Sequence, residues 1–429
     1  MAPRLAFGLV LFLMGCGSST PMPETKEPSQ PAAAAKGPVP ELQRKATVRV
    51  KAELPEDVKS AFVDTVKKSR LPDAMGTVGV GWTSTGSGFF LKSPDGKGLV
   101  LITNRHVVDS APKVTIVLDE HTSLSDCEVI YTDDKYDVAV VKVPDSLATS
   151  SIAVATLADG GVKNDEAVQA SGYPRVGDQQ SYRLTSGTIS NADFSVTVRG
   201  HKSSFLQHTA AIDPGNSGGP LFRKDSIEVI GINTLTMRSN DNLYSAVPAS
   251  TVKGVLDRAF KVPPKSDVRA TIQQIQTSCK ELMDELSIGG EPPISTVALV
   301  SDRLVAERGV PTWEIRYIEN GPPSRNEETG EVTPGKPKVN EEAFGELVSA
   351  VKKGDVMEHL RGLTFAYLYV DLKRQKGVNG DPCSRVVEKD VRDYDDRGFV
   401  RVGMDLGSGE RRTMRFRLEQ GHWRLSGYE

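Results

Sequence analysis

Residues 215–221 read Gly-Asn-Ser-Gly-Gly-Pro-Leu, a run in which glycines surround a single serine. Glycine lets the main chain turn sharply and approach a substrate closely, because it has no Cβ atom. In such a turn the amides of Gly215 and Ser217 can point together at an oxygen that becomes negative during acyl transfer. The stretch therefore predicts that Ser217 is a nucleophile and that these two amides form an oxyanion hole.

A serine nucleophile needs a histidine base, and the chain has six histidines. His106 lies in the run Leu-Ile-Thr-Asn-Arg-His-Val-Val at 101–108, where a polar break interrupts two apolar stretches. Such a break exposes one imidazole at the end of a strand, so His106 is the predicted general base. Four other histidines are expected to be structural or solvent-facing: His121, His201, His359 and His422.

The base in turn needs a carboxylate that fixes its tautomer. Asp137 opens the apolar run Val-Ala-Val-Val-Lys-Val at 138–143, where a buried charge requires a partner. Its rivals Asp133 and Asp134 share a polar turn with Lys135, and we expect them to be solvated. The sequence therefore favours Asp137.

Chain order separates two classes of hydrolase that share this serine motif. The α/β-hydrolases also contain Gly-x-Ser-x-Gly, but their triads run Ser, Asp, His, whereas this chain runs His106, Asp137, Ser217. Four segments are similar to trypsin-like serine proteases of the HtrA/Deg type: Thr-Gly-Ser-Gly-Phe at 85–89, Thr-Asn-Arg-His-Val-Val at 103–108, Asp-Val-Ala-Val at 137–140 and Ala-Ala-Ile-Asp-Pro-Gly-Asn-Ser-Gly-Gly-Pro-Leu at 210–221.

This resemblance covers residues of about 76–248 and implies two six-stranded antiparallel β-barrels with the site in the cleft between them. Short apolar runs separated by turn residues, including Asp95-Gly96, predict an all-β segment independently. Asn216 stands where cleavage-activated proteases use an aspartate to bind a freed N-terminal amine. An asparagine cannot form that ion pair, so we expect an enzyme that needs no such cleavage.

Substrate preference is inferred from the resemblance alone. It places the floor of the S1 pocket near Ala211 and its walls at Ile212, Ile232, Asn233, Thr234 and Leu235. No acid lies on that floor, so we expect small or medium aliphatic P1 residues rather than Arg or Lys. Asp213 and the stretch 207–209 depart from the family residues, and His208 is left as either a cleft residue or a surface or strand residue.

The N-terminus predicts export. Residues 5–14 are apolar but too short to span a bilayer, as in a secretory signal, and Leu-Met-Gly-Cys at 13–16 resembles a bacterial lipobox. We therefore expect a signal peptide at 1–15 and a lipid on Cys16, with an outer-membrane anchor favoured. The alternative is an ordinary signal peptide. Residues 16–45, rich in Pro, Ser and Ala, are expected to be a flexible tether.

The rest of the chain divides near Val-Pro-Pro-Lys at 262–265. We expect a protease domain over 46–262, with an amphipathic helix at 55–69 packed on its barrel, and a smaller α+β domain of unknown function over 266–429. Within that second domain, the polar stretch 319–340 is predicted to be a loop or a disordered excursion. No Gly-Leu-Gly-like loop of a PDZ domain follows residue 263, so the resemblance does not extend to PDZ-mediated capture of substrates. The predicted fold class is mostly β.

Composition excludes several functions. A net charge of -3, from 53 Lys+Arg and 56 Asp+Glu, argues against a nucleic-acid binder. Neither His-Glu-x-x-His nor Cys-x-x-Cys occurs, so no metal site and no cofactor are predicted. Without Cys16, three cysteines remain and allow at most one disulfide, whose pairing the sequence does not decide: Cys127, Cys279 and Cys383.

The function predicted from these features is a serine endopeptidase that cleaves proteins or peptides of the bacterial cell envelope through an acyl-enzyme, with protein quality control as a role. A homo-oligomer is left open. The alternative is a protease-fold binding or sensor protein that recognises unfolded polypeptide without turnover. Three intact triad residues argue against that alternative, since a binding module need not keep them.

Overall fold

The protein was analysed as a computed structural model, which describes part of the chain. The described residues are 37–56, 58–60, 64, 83–108, 111–144, 147, 152–176, 179–198, 201–234, 243–262, 266–288, 299–301, 304–305, 318–320, 323–325, 329–330, 332–333, 337–340, 356–394 and 398–429. The predicted signal peptide, Cys16 and residues 76–82 of the protease-like segment lie outside them.

The first six strands close into a barrel. They are β1 (Thr47–Glu53), β2 (Thr83–Lys92), β3 (Leu99–Thr103), β4 (Lys113–Val117), β5 (Ser123–Asp133) and β6 (Val138–Lys142). Neighbours in the ring follow the order β1-β2-β3-β6-β5-β4 and pair antiparallel. Side chains alternate across a strand, so Phe90 fills the interior of this barrel while Phe89 packs outside it.

Six of the next nine strands build a second barrel. They are β7 (Thr156–Leu157), β8 (Ala167–Gly172), β9 (Arg175–Val176), β10 (Gln179–Gln180), β11 (Arg183–Val198), β12 (His201–His208), β13 (Pro220–Arg223), β14 (Glu228–Thr234) and β15 (Tyr244–Pro248). The order β13-β8-β11-β12-β15-β14 becomes a closed ring because β13 also pairs with β14. Strand β7 adds to β14 in parallel, and β9 and β10 form a separate hairpin. The predicted chymotrypsin-like double barrel is confirmed.

A shared hydrophobic cluster joins the two barrels. Phe89 and Ile102 enter it from the first barrel, and Phe222 and Ile232 enter it from the second. Helix α3 (Ala249–Ala259) covers the cluster with Val252, Val255 and Leu256, and the short helix α2 (Arg105–Val108) follows β3. The barrels are thus packed rigidly enough to fix residues that face each other across the cleft.

The predicted tether ends earlier than expected. Residues 39–45, assigned to it from composition, belong to helix α1 (Val39–Ala46), whose Gln43 is fully buried. The Gln43 amide donates to Gln169 Oε1 at 3.0 Å and to the carbonyl of Ser226 at 2.8 Å. Composition misled here because a segment with few apolar residues can still dock through buried hydrogen bonds.

The C-terminal region, residues 268–429, has its own core. Its elements are α4 (Val268–Ile288), α5 (Val356–Arg374), a 3₁₀ turn (Cys383–Arg385), α6 (Glu388–Arg392), the short strands β16 (Ile318–Asn320), β17 (Ser324–Arg325), β18 (Val332–Thr333) and β19 (Pro337–Val339), and the sheet strands β20 (Val378–Asn379), β21 (Val400–Leu406), β22 (Arg411–Glu419) and β23 (His422–Tyr428). Strands β20 to β23 pair in sequence order, and Leu282, Phe365 and Phe416 share one hydrophobic cluster. The region is α+β, as predicted.

Two further predictions from the sequence, for 319–340 and for the helix at 55–69, need correction. The stretch 319–340 is not simply a loop, because β16 pairs with β19 and β17 pairs with β18 in short hairpins. Residues 56, 58–60 and 64 are helical as expected, but Val58 packs into the core of the C-terminal region rather than on a barrel. Among the residues that the structure describes, no helix is long and apolar enough to cross a membrane.

The structure decides the cysteine pairing. Cys279 of α4 and Cys383 form a disulfide across 104 positions of sequence. Cys127 is a free, buried thiol, and burial raises its pKa to about 11. The disulfide thus braces the C-terminal region, while the protonated thiol of Cys127 behaves as a small core side chain.

His208 is a buried strand residue. It ends β12, has no exposed surface, and stacks on Tyr244 with ring centroids 6.0 Å apart. Burial lowers its pKa to about 4. Of the two alternatives left by the sequence, a cleft residue is therefore excluded, and the neutral ring belongs to the core of the second barrel.

This burial predicts acid sensitivity. The native state keeps His208 neutral, whereas the unfolded chain binds a proton below about pH 6.5, so stability falls as the pH drops from there towards 4. The loss attributable to His208 should reach on the order of 3 kcal/mol. Urea midpoints measured between pH 7 and pH 4.5 should fall less in His208→Asn than in the wild type. The exposed-site control His121→Asn should follow the wild type, and equal slopes for all three proteins would contradict the prediction.

Candidate active site

His106 and Asp137 meet at one edge of the first barrel. His106 lies in α2, directly after β3, and Asp137 immediately precedes β6, which pairs with β3. The Asp137 carboxylate lies 2.8 Å from Nδ1 of His106 through Oδ2, and its Oδ1 accepts the main-chain amide of His106 at 3.0 Å. This two-point contact fixes the ring and leaves Nε2 as the nitrogen that can act on a neighbouring hydroxyl.

The main chain of Asp137 is held in an uncommon conformation. Its φ is 57°, in the left-handed region that few residues other than glycine adopt. Two donors fix its carbonyl, namely the buried side-chain amide of Asn104 at 2.8 Å and the main-chain amide of Arg105 at 3.2 Å. The residues just before His106 therefore also orient the carboxylate that His106 needs.

The charge of Asp137 is stabilised where it lies. Burial alone would raise the pKa of this carboxyl group. The neighbouring His106, the two hydrogen bonds from His106 and the charge of Arg105 outweigh burial and hold the pKa of Asp137 below its usual value. The carboxylate therefore remains ionised at neutral pH and can stabilise a protonated imidazole.

Thr234 is a partner of this carboxylate that sequence reasoning missed. Its hydroxyl donates to Asp137 Oδ2 at 3.2 Å, across the cleft from the second barrel. The family resemblance places Thr234 in the wall of the S1 pocket instead. The available signal was a buried hydroxyl at the end of the apolar strand β14, since such a group requires a hydrogen-bond partner.

The expectation that Asp133 and Asp134 are solvated was wrong. Both side chains are only 10% exposed. Asp133 pairs with Arg258 of α3 at 2.7 Å, and Asp134 pairs with Nε of Arg105 at 2.8 Å. These arginines compensate the buried charges, and the carboxylate that contacts His106 is that of Asp137.

The Ser217 turn packs directly against the segments that surround His106. The Ser217 carbonyl accepts the amide of Ser87 at 2.8 Å. A Cβ added to Gly86 would lie 2.9 Å from this carbonyl and 2.5 Å from Cγ2 of Val107, and one on Gly218 would lie 3.0 Å from the amide of Asn104. Glycine at 86 and 218 is required because no side chain fits between the turn and the strand that leads to His106.

Two main-chain amides of the Ser217 turn, those of Gly215 and Ser217, are the ones that the sequence predicts for an oxyanion hole. Gly215 has a φ of 106°, and the Pro214 carbonyl accepts the amide of Arg175 at 2.7 Å. In a trans peptide the N–H points opposite to the carbonyl, so this bond turns the Gly215 amide away from Arg175. Within the described part of the chain, neither Gly215 N nor Ser217 N donates a hydrogen bond.

The side chain of Asn216 is buried against Gly172. Asn216 is 3% exposed, and a Cβ on Gly172 would lie 2.5 Å from its Oδ1. A neutral amide fits this enclosed position without the ion pair that an aspartate would need. Asp213 forms a surface ion pair with Arg183 at 3.2 Å. Its main-chain carbonyl accepts the main-chain amide of Asn216 at 3.0 Å.

The predicted S1 walls require correction. Ala211 is exposed, but the side chains of Ile212 and Ile232 are at most 1% exposed and lie in hydrophobic clusters. The fully buried Asn233 donates its amide to the carbonyls of Ser171 and Pro220, at 3.2 and 3.1 Å. These three side chains cannot reach a substrate, because strand packing turns them inward. Leu235 lies outside the described residues, as Cys16 does.

No candidate metal site accompanies these groups. In the described ranges, no group of three or more His, Cys, Asp or Glu side chains is arranged to hold a metal ion. The arrangement that the structure does contain is a histidine oriented by a carboxylate, next to a serine whose turn presents main-chain amides. Such an arrangement is suited to acyl transfer.

Comparison with known proteins agrees with this geometry. Residues 86–232 match the family model described as a trypsin-like peptidase domain. The chain is 33% identical over 182 residues to a serine protease Do-like HtrA of Bacillus subtilis, an alignment that covers 41% of this chain and 39% of that protein. It is also 33% identical over 241 residues to a probable periplasmic serine endoprotease DegP-like of Brucella suis, which covers 55% of this chain and 44% of the relative.

The chain thus spans less than half the length of these two relatives. A solved structure of the serine endoprotease from Yersinia pestis aligns at 21% identity with a TM-score of 0.36, covering 53% of this chain and 68% of that one. A TM-score this low does not bear on the fold, which follows from the order of the strands. The family match and the aligned relatives agree: residues 86–232 are similar to a trypsin-like peptidase domain, and the proteins that align with the chain are named HtrA or DegP-like serine proteases.

Proposed function

We propose that the chain is a serine endopeptidase in which Ser217, His106 and Asp137 form the catalytic triad. The observation that carries the proposal is the two-point contact of Asp137 with His106, beside a serine turn whose Gly215 amide is oriented by the Pro214 to Arg175 hydrogen bond. A binding protein would have no need to orient an imidazole in this way.

The reaction follows from these positions. Nε2 of His106 takes the proton of the Ser217 hydroxyl as Oγ bonds to the carbonyl carbon of the scissile peptide. The carbonyl oxygen becomes negative, and the Gly215 and Ser217 amides stabilise it. Protonated His106, stabilised by Asp137, then gives its proton to the leaving amine as the C–N bond breaks. Water attacks the acyl-enzyme by the same route and regenerates Ser217.

We also propose the extent and location of the enzyme. The protease unit is assigned to residues 46–262, because β1 completes the first barrel and α3 covers the cluster between the barrels. The region from 266 onwards is assigned to a second unit, since its residues form most of one hydrophobic cluster, to which Leu54 and Val58 are added from the N-terminal side. The relative from Brucella suis is named a probable periplasmic protease, which supports action on proteins of the cell envelope. A role in protein quality control stays a prediction. The preference for small or medium aliphatic P1 residues stays a prediction.

The triad predicts how the protein reacts with a fluorophosphonate probe. Wild-type protein should be labelled on Ser217, whereas Ser217→Ala and His106→Ala should not, because the first lacks the nucleophile and the second lacks its base. Gel fluorescence and peptide mapping measure this. The matched controls Ser190→Ala and His121→Ala change exposed residues and should label normally. An unlabelled wild type would favour the binding or sensor alternative.

The carboxylate should matter through the orientation of the histidine. Asp137→Asn preserves the shape of the side chain but favours the wrong imidazole tautomer, and should lower kcat by on the order of 10⁴ with little change in stability. Hydrolysis of a fluorogenic peptide pool, followed beside urea unfolding, separates the two effects. A loss below about tenfold in a folded variant would exclude Asp137 from the triad.

We further propose that the signal peptide is removed before Cys16 and that a lipid on this cysteine anchors the enzyme, with the outer membrane favoured. In a Gram-negative host, Cys16→Ser should move the protein from the membrane fraction to the soluble fraction, because the lipid supplies the membrane affinity. Immunoblots of the fractions test this. Membrane retention of Cys16→Ser at the wild-type level would contradict it.

A further inference from the structure

The turn between β22 and β23 of the C-terminal region docks on the first barrel. The carbonyl of Gln420 accepts the amide of Thr132 at 3.3 Å, and Nε2 of His422 donates to the Thr132 carbonyl at 2.6 Å. The side-chain amide of Gln420 donates to the carbonyl of Ala111 at 3.0 Å. This turn, residues 419–422, is hereafter called the docking turn. It binds two separate segments of the barrel.

The docking turn packs tightly against β5 at Gly421. Gly421 has a φ of 79°, and a Cβ added to it would lie 2.7 Å from Cδ2 of Tyr131 and 3.0 Å from the carbonyl of Ile130. The Tyr131 and His422 rings lie 4.9 Å apart between centroids. A side chain at position 421 therefore cannot be accommodated unless the docking turn or β5 moves.

The two docked segments are the ones that carry the base and its carboxylate. Thr132 lies in β5 shortly before Asp137, and Ala111 lies shortly after α2, which contains His106. The docking turn thus bridges the two segments at a place where they are attached to the triad. Its hydrogen bonds to Thr132 and Ala111 can influence the triad through the main chain of these two segments.

A buried charge cluster strengthens this attachment. Arg105 pairs with Asp134 through its side chain and donates to the Asp137 carbonyl through its main chain. Arg424, which is 4% exposed, donates to Thr132 Oγ1 at 3.4 Å and to Gln420 Oε1 at 3.0 Å. Burial would raise the pKa of Asp134, but the charges of Arg105 and, from the C-terminal region, of Arg424, His422 and Arg361 lower it.

Buried charges are stable only while their partners stay in place. Withdrawal of the docking turn would break the hydrogen bonds of His422 and Arg424 to Thr132 and would free the segment that ends in Asp137. That segment includes the left-handed Asp137, whose conformation persists only when its surroundings enforce it. Small displacements of a catalytic group lower rates steeply.

We propose that the docking turn and Arg424 are positioning elements for the triad, so that the protease turns over fully only when the C-terminal region is docked on the first barrel. This inference rests on the proposed function of Ser217. It assigns to the C-terminal region a role in holding Asp137 and His106 together, exerted from behind the cleft rather than by contact with substrate.

The test compares two glycines of the same sheet. Gly421→Ala places a methyl group against Tyr131, whereas Gly409→Ala imposes a similar left-handed strain, at a φ of 89°, in the β21–β22 turn with nothing within 4 Å of the added carbon. Both variants are made in the full chain. The rate constant of inactivation by a fluorophosphonate probe, kinact, and its KI are measured separately, with circular dichroism and the Cys279–Cys383 disulfide as checks of folding.

For Gly421→Ala we expect kinact to fall by about 10 to 10² with KI changed by less than about threefold, because proton transfer and not probe binding is disturbed. Gly409→Ala should keep the wild-type kinact. If Gly421→Ala does not fold, Arg424→Lys tests the inference instead, because a lysine cannot reproduce the forked contacts of Arg424. Its control is Arg411→Lys, which changes an exposed arginine. Arg424→Lys should lower kinact in the same direction.

Three results overturn the inference. A folded Gly421→Ala that reacts like the wild type would show that docking does not position the triad, and would leave the proposed function intact. An equal loss in Gly409→Ala would assign the effect to general strain in the sheet. Wild-type protein that does not react at all would remove the proposed function itself, and the inference with it.

Discussion

A carboxylate buried beside an imidazole is the interaction on which the site depends. Asp137 would be costly to bury alone, since an ionised carboxyl group loses its hydration in the protein interior. His106 compensates it with two hydrogen bonds, Thr234 adds a third, and Asn104 and Arg105 hold its carbonyl. The local fold around 104–106 and 137 can be understood as the arrangement that keeps this one charge satisfied.

The two barrels supply different parts of the chemistry. The first provides His106 and Asp137, and the second provides Ser217 and the hydroxyl of Thr234 that reaches across to Asp137. Their approach depends on glycine, because a methyl group at Gly86 or Gly218 would lie less than 3.0 Å from atoms of the opposing segment. The geometry of the site is therefore set by packing between barrels as much as by the motifs themselves.

The sequence was sufficient for bringing His106 and Asp137 together, because each lies in a short local motif, whereas the double barrel was predicted from the family resemblance that those motifs carry. Prediction from the sequence failed where the interacting residues lie far apart in the chain. Asp134 was expected to be solvated, because one charge that lowers its pKa comes from Arg424, which is distant in sequence. Arg424 contacts Thr132, which lies 292 positions earlier in the chain. Ile212 and Ile232 were expected to line the S1 pocket but are buried, because a motif fixes the main chain but not the direction in which each side chain packs. Helix α1 was missed because it has few apolar residues; it docks through the hydrogen bonds of Gln43 together with the packing of Leu42 and Ala46.

Contacts between residues far apart in sequence also connect the C-terminal region to the site, since its sheet forms hydrogen bonds with the segments that support the triad. The central claim, however, is that Ser217 performs acyl transfer. The most direct measurement is to mix the protein rapidly with p-nitrophenyl acetate, quench with acid, and locate any acetyl group by mass spectrometry. The account predicts a burst of about one equivalent of nitrophenol and an acetyl group on Ser217. Nitrophenol release without an adduct, or with an adduct on another residue, would contradict it.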